Sequence, residues 1–107
     1  MIVGVMTISE AQDLLRFCLG HGGKVIPTRH FRDELAKEDL TIPAAWHVLK
    51  KGTIYKPPEL HPKTMEWTYH VEGQEPDGKW LEIVFCFQTI ETAKLITVFS
   101  VGARKRS

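Results

Sequence analysis

The densest chemistry in this chain lies in the run Thr28-Arg29-His30-Phe31-Arg32, where an imidazole stands between two permanently charged guanidiniums. His30 can exchange protons near neutral pH, and Arg29 and Arg32, three residues apart, can share one stretch of helical surface. At a helix start, where the first N–H groups lack partners, the run offers a phosphate both charge and hydrogen-bond donors. That combination suits metal-free cleavage of RNA by its own 2′-hydroxyl: the imidazole moves the proton and the cations stabilise charge at phosphorus. The same residues also admit a plain structural reading, with Arg32 paired to Asp33, Glu34 or Glu38 and His30 packing a turn.

Other chemistry is sparse. There is no P-loop, GxGxxG, HExxH or GxSxG motif, which sets aside most nucleotide-dependent enzymes. No two of His21, His30, His47, His61 and His70 fall at the i, i+3 or i, i+4 spacing that sets two ligands on one helical face, so neither a metal nor another cofactor is expected. Cys18 and Cys86 lie far apart without CxxC spacing and read as reduced, buried thiols of a cytoplasmic protein. Tyr69 and His70 alternate along one strand, so only one of them lines any given face. Tyr69 groups with Met65, Trp67 and Val71 as core, while His70 groups with Glu66, Thr68 and Glu72 and receives no role. Trp46, Trp67 and Trp80 read as core before they read as platforms for bases. Arg104, Lys105 and Arg106 form a basic end that either adds sequence-blind phosphate contacts or is simply solvated.

The elements that must position these residues are legible from spacing. Thr7-Ile8-Ser9-Glu10 is a capping box, and Ala11, Leu14, Leu15, Cys18 and Leu19 form an apolar stripe, which together predict a helix over residues 8–20. After a short extended piece, Lys24 to Pro27, Thr28 is the N-cap of a second helix. Thr41 caps a third, with Pro43 in its first turn and Gly52 at its end. From Thr53 the period turns from helical to alternating. Strands are expected from Met65 to Val71, from Trp80 to Phe87 and from Leu95 to Val101, with a hairpin loop at Gly73 to Gly78. Thr53 to Lys56 offers a short fourth strand that stops at Pro57-Pro58. Trp80 to Phe87 is apolar on nearly both faces and reads as a central strand sandwiched by helices. The expected architecture is α+β, with N-terminal helices packed on a three- to four-stranded antiparallel meander.

Bulk properties agree with one domain across residues 1–107, with 102–107 a flexible basic tail. The chain has 43% hydrophobic and 25% charged residues, ordinary values for a folded domain, and a formal charge of +1. Seven basic and six acidic residues precede position 52, and seven of each follow, so neither part attracts phosphates by bulk charge. The apolar start Met1 to Met6 has no basic leader and soon meets Ser9, Glu10 and Asp13. Neither an export signal nor a membrane span is expected.

Three segments carry a resemblance: Arg29-His30-Phe31-Arg32-Asp33-Glu34-Leu35, Thr41-Ile42-Pro43-Ala44-Ala45-Trp46-His47-Val48-Leu49-Lys50-Lys51-Gly52, and Leu95-Ile96-Thr97-Val98-Phe99-Ser100-Val101. Together they resemble a family of small prokaryotic domains of unknown function, similar in turn to the RelE and MqsR toxins of the barnase–EndoU–colicin–RelE superfamily. The resemblance implies a cytoplasmic, metal-independent endoribonuclease of the mRNA-interferase kind, working on RNA without a cofactor and held by a cognate antitoxin. It implies His30 as acid/base, Arg29 and Arg32 as phosphate contacts and Thr97 as a polar group on the sheet side of the cleft. The near-balanced charge and the few polar residues on the expected sheet fit an alternative, a non-catalytic protein- or RNA-binding module on the same scaffold.

Overall fold

The computed structural model describes residues 4–101. Helix α1 (Ile8–Leu19) opens on the reciprocal capping box, Thr7 Oγ1 accepting from the Glu10 N–H at 3.1 Å and Glu10 Oε1 from the Thr7 N–H at 2.9 Å. Its stripe buries Ala11, Leu15 and Cys18. Helix α2 (Arg29–Lys37) is capped by Thr28 and buries Phe31 and Leu35; α3 (Ile42–Lys51) is capped by Thr41, carries Pro43 in its first turn and ends at Gly52.

The strands are β1 (Lys24–Pro27), β2 (Thr53–Ile54), β3 (Glu59–Leu60), β4 (Trp67–Gln74), β5 (Trp80–Thr89) and β6 (Thr92–Ser100). They form a six-stranded mixed sheet in the order β1-β6-β5-β4-β2, with β3 also paired to β4. This corrects the expected three- to four-stranded antiparallel meander in two respects. Lys24 to Pro27 is an edge strand running parallel to β6, with Val25 opposite Ala93 and Pro27 opposite Leu95. Four residues are too few to display a period, and parallel pairing depends on a partner some seventy residues away, so local pattern could not reveal it. The proline pair also does not end the other edge: β2 pairs with Val71 and Glu72, the chain detours through Tyr55 to Pro58, and β3 rejoins at Trp67 and Thr68.

The helices cover one face of the sheet. Phe31, Leu35, Ala45, Val48 and Leu49 pack in one cluster with Tyr69, Val71, Leu81, Ile83, Phe85, Phe87, Ala93, Leu95 and Val98. β5 is therefore not sandwiched by helices: its Glu82, Val84 and Cys86 alternate onto the opposite, outer face. A bulge adjusts β6 to this arrangement. Val84 pairs with Thr97 and Phe85 with Leu95, which leaves Ile96 as the extra residue. That insertion lets both Leu95 and Val98 face the helices and turns Thr97 outward.

Two further details differ from the pattern reading. Strand β4 begins at Trp67, because Met65 adopts φ 59° in a turn closed by its N–H to the His61 carbonyl at 2.8 Å. The His61 ring accepts from the Lys63 and Thr64 N–H groups and so holds this turn, leaving Met65 exposed. Where α3 ends on β4, the backbones nearly touch: a Cβ on Gly73 would lie 2.9 Å from Gly52 Cα, and one on Gly52 only 2.5 Å from the Val48 carbonyl oxygen. Among the described residues no helix is long and apolar enough to cross a membrane.

Candidate functional site

The sequence-derived site is built on the first turn of α2. The Thr28 hydroxyl accepts from the Phe31 N–H at 3.2 Å and donates to the Leu95 carbonyl at 2.7 Å, and the Thr28 N–H donates to that same carbonyl at 3.0 Å. One residue thus caps the helix and pins its start to β6. With Phe31 and Leu35 committed to the core, Arg29, His30 and Arg32 are turned to solvent.

The exposed groups then divide between two flanks, since residues two apart on a helix do not face each other. The His30 side chain is 63% exposed, and its Nε2 lies 3.9 Å from Glu34 Oε1, whose other neighbour is Lys37 Nζ at 3.4 Å. Arg32, on the opposite flank, lines a cleft of about 420 Å³ formed with Pro27, Leu35, Ala36, Leu40 and Ile42. Neither Arg29 nor Arg32 is ion-paired with a described residue. The first turn of α2 contains no acidic residue. Two guanidiniums therefore sit at the positive end of the helix dipole with no acidic residue beside them in the first turn, an arrangement that works against helix stability.

Thr97 does not join them. It lies on the outer face of the sheet, in one cross-strand row with Val84 and His70, whereas α2 packs on the inner face. Arg104, Lys105 and Arg106 lie outside the described residues.

The outer face holds a polar cluster that the sequence reading did not assemble. His70, its side chain 13% exposed, has Nδ1 in a short contact of 2.5 Å with Glu82 Oε2 and Nε2 at 3.1 Å from Glu59 Oε1. The Tyr55 hydroxyl donates to the other Glu82 oxygen at 2.8 Å, and Lys56 Nζ stands 3.3 Å from Glu59 Oε1. The detour between β2 and β3 brings Tyr55, Lys56 and Glu59 over β4. Bonding from Lys56, with the nearby His70 adding to it, holds the Glu59 carboxyl below its usual range. Glu82 is buried at 3% exposure and stands directly opposite Glu72, also 3% exposed, across β4 and β5. The Tyr55 hydroxyl and the His70 ring give the Glu82 carboxyl hydrogen-bonding partners, which is part of what makes its burial tolerable. The signal for this cluster was Glu82 itself, the lone acid in the apolar run from Trp80 to Phe87.

Farther along the same face, Lys94 pairs with Glu66 at 3.3 Å and the Cys86 thiol donates to Glu66 at 3.5 Å. Burial, reinforced by that carboxylate, pushes the Cys86 thiol up to about 11, which rules it out as a ready nucleophile. Among the described residues no group of three or more His, Cys, Asp or Glu side chains is arranged to hold a metal ion. Comparison of the chain with protein-family models, curated proteins and solved structures returned no match.

Proposed function

We propose that the protein is a metal-independent endoribonuclease that works at the first turn of α2. The observation that carries this reading is the set of Arg29, His30 and Arg32: exposed, set against the helix dipole, and with both guanidiniums free of ion pairs among the described residues. An RNA phosphate seated there relieves that repulsion and meets the first N–H groups of the helix. His30 takes the proton of the attacking 2′-hydroxyl, and the oxygen bonds to the adjacent phosphorus as the bond from phosphorus to the 5′-oxygen breaks. The 5′-oxygen takes a proton from solvent water, giving a 2′,3′-cyclic phosphate and a 5′-hydroxyl end; His30 then returns its proton to solvent. Arg29 stabilises the charge that develops on the phosphoryl oxygens. Arg32, on the cleft side, holds a neighbouring phosphate. On this reading a cognate antitoxin is the natural restraint, and covering α2 is sufficient for it to act. Thr97, on the outer face, is not assigned to the reaction.

A second reading, a non-catalytic binding module, is favoured by the apolar cleft beside Arg32 and by the separation of His30 from that cleft. Expression in a bacterial host separates the two. Wild type is expected to arrest growth and degrade RNA, while His30→Ala at equal protein level is expected to do neither. His30 is exposed and its described partner is distant, so the substitution should leave stability within about 0.5 kcal/mol. Purified protein should cut an RNA oligonucleotide and spare its 2′-deoxy analogue. Harmless wild type with intact RNA, or equal cutting of the deoxy analogue, would sink the nuclease reading.

A further inference from the structure

We propose that Lys56 Nζ and His70 Nε2 form an oxyanion-binding site whose present occupant, the Glu59 carboxylate, is a built-in and displaceable stand-in for a ligand carrying a carboxylate or phosphate group. The Lys56 ammonium and the His70 ring nitrogen converge on a single oxygen, Glu59 Oε1, at 3.3 and 3.1 Å. The two sides of this contact are unequal in rigidity. His70 stands on an inner strand of the sheet with its ring clamped by Glu82, which the Tyr55 hydroxyl fixes in turn. Ring orientation is therefore set before any ligand arrives, which lowers the cost of binding one. Glu59, by contrast, has a side chain 63% exposed and belongs to a strand of two residues lying between a proline pair and the His61 turn. An exposed ion pair on so short an edge is weakly held. Swinging the Glu59 side chain into water leaves both nitrogens facing the point that a single carboxylate oxygen, Glu59 Oε1, now occupies.

The site lies on the sheet face opposite α2 and does not depend on the nuclease reading, so His30→Ala leaves it unchanged and each idea can fail alone. The experiment uses Glu59→Gln, which removes the internal competitor while keeping the side chain's size. Wild type, Glu59→Gln and the double variant Glu59→Gln with Lys56→Ala are titrated with inorganic phosphate and, separately, with acetate at constant ionic strength. The His70 ring nitrogens are followed by NMR. Removing a carboxylate tethered at high effective concentration is expected to tighten oxyanion binding about tenfold, and loss of Lys56 to reverse most of that gain. Whichever of phosphate and acetate saturates at the lower concentration names the ligand's head group. If the His70 signals of Glu59→Gln move with neither anion, or if Lys56→Ala changes nothing, the proposal is overturned. Should Glu59→Gln fold poorly, Glu59→Ser serves the same comparison, and unchanged thermal unfolding qualifies either variant.

Discussion

Thr28→Ala offers the sharpest test of how the first turn of α2 is held. The substitution removes an N-cap acceptor that serves the Phe31 N–H and, at the same time, the donor to the Leu95 carbonyl. Losing an N-cap costs about 1 kcal/mol. Leaving a part-buried carbonyl short of one of its donors adds about 1 kcal/mol, although the Thr28 N–H still reaches that oxygen. The expected total is about 2 kcal/mol, which for a domain near 100 residues lowers the melting temperature by roughly 8 to 16 °C. Thr28→Ser keeps both bonds and should recover most of the loss, whereas Thr28→Val keeps the shape and should not. Urea and thermal unfolding of the three variants provide the assay. If Thr28→Ala stays within about 0.5 kcal/mol of wild type, the typical range for inconsequential surface changes, the double anchor has no energetic meaning and the placement of His30 must have another cause.

Three further outcomes follow from the geometry. Gly73→Ala drives a Cβ to within 2.9 Å of the Gly52 backbone, and Gly52→Ala brings one to 2.5 Å from the Val48 carbonyl; each should destabilise by about 1 to 3 kcal/mol in chemical denaturation, and neutral substitutions would contradict the close approach. Burial raises both thiols, Cys18 and Cys86, above the ordinary cysteine range, so disulfide-exchange reagents at pH 8 should label the folded protein only at its unfolding rate; fast labelling in buffer would refute their enclosure. The Glu75 carboxylate accepts from the Asp77 and Lys79 N–H groups at 3.0 and 2.9 Å, which holds its pKa below the usual range. Its stabilising effect is present above the unfolded-state pKa and fades as pH falls through the lower folded value, so Glu75→Gln should flatten the acid limb of the stability profile; an unaltered limb would count against it.

Local rules were enough for the helices. Thr7 with Glu10, Thr28, Thr41 with Pro43, and Gly52 mark helix ends through contacts spanning three or four residues, and those ends lie where the spacing puts them. The exposure of Arg29, His30 and Arg32 was equally open to reading, because Phe31 and Leu35 define the buried side of a nine-residue helix and leave the remainder outside. On β4 it is strand alternation that separates Tyr69 from His70: the Tyr69 ring is 1% exposed and its hydroxyl accepts the Met6 N–H at 3.0 Å.

Long-range pairing was another matter. Which face Thr97 takes depends on the Ile96 bulge, an offset between β5 and β6 that no alternation within β6 announces. The parallel docking of Lys24 to Pro27 and the return of Glu59 and Leu60 to β4 are contacts between distant segments, each too short to carry a period of its own. The cluster of Tyr55, Lys56, Glu59, His70 and Glu82 depends on both a detour in one edge and the register of two inner strands. Side-chain chemistry and helix ends are encoded by neighbours along the chain, whereas the meeting of these five residues is encoded by backbone hydrogen bonds between strands, whose register is selected by the burial of the whole inner face at once.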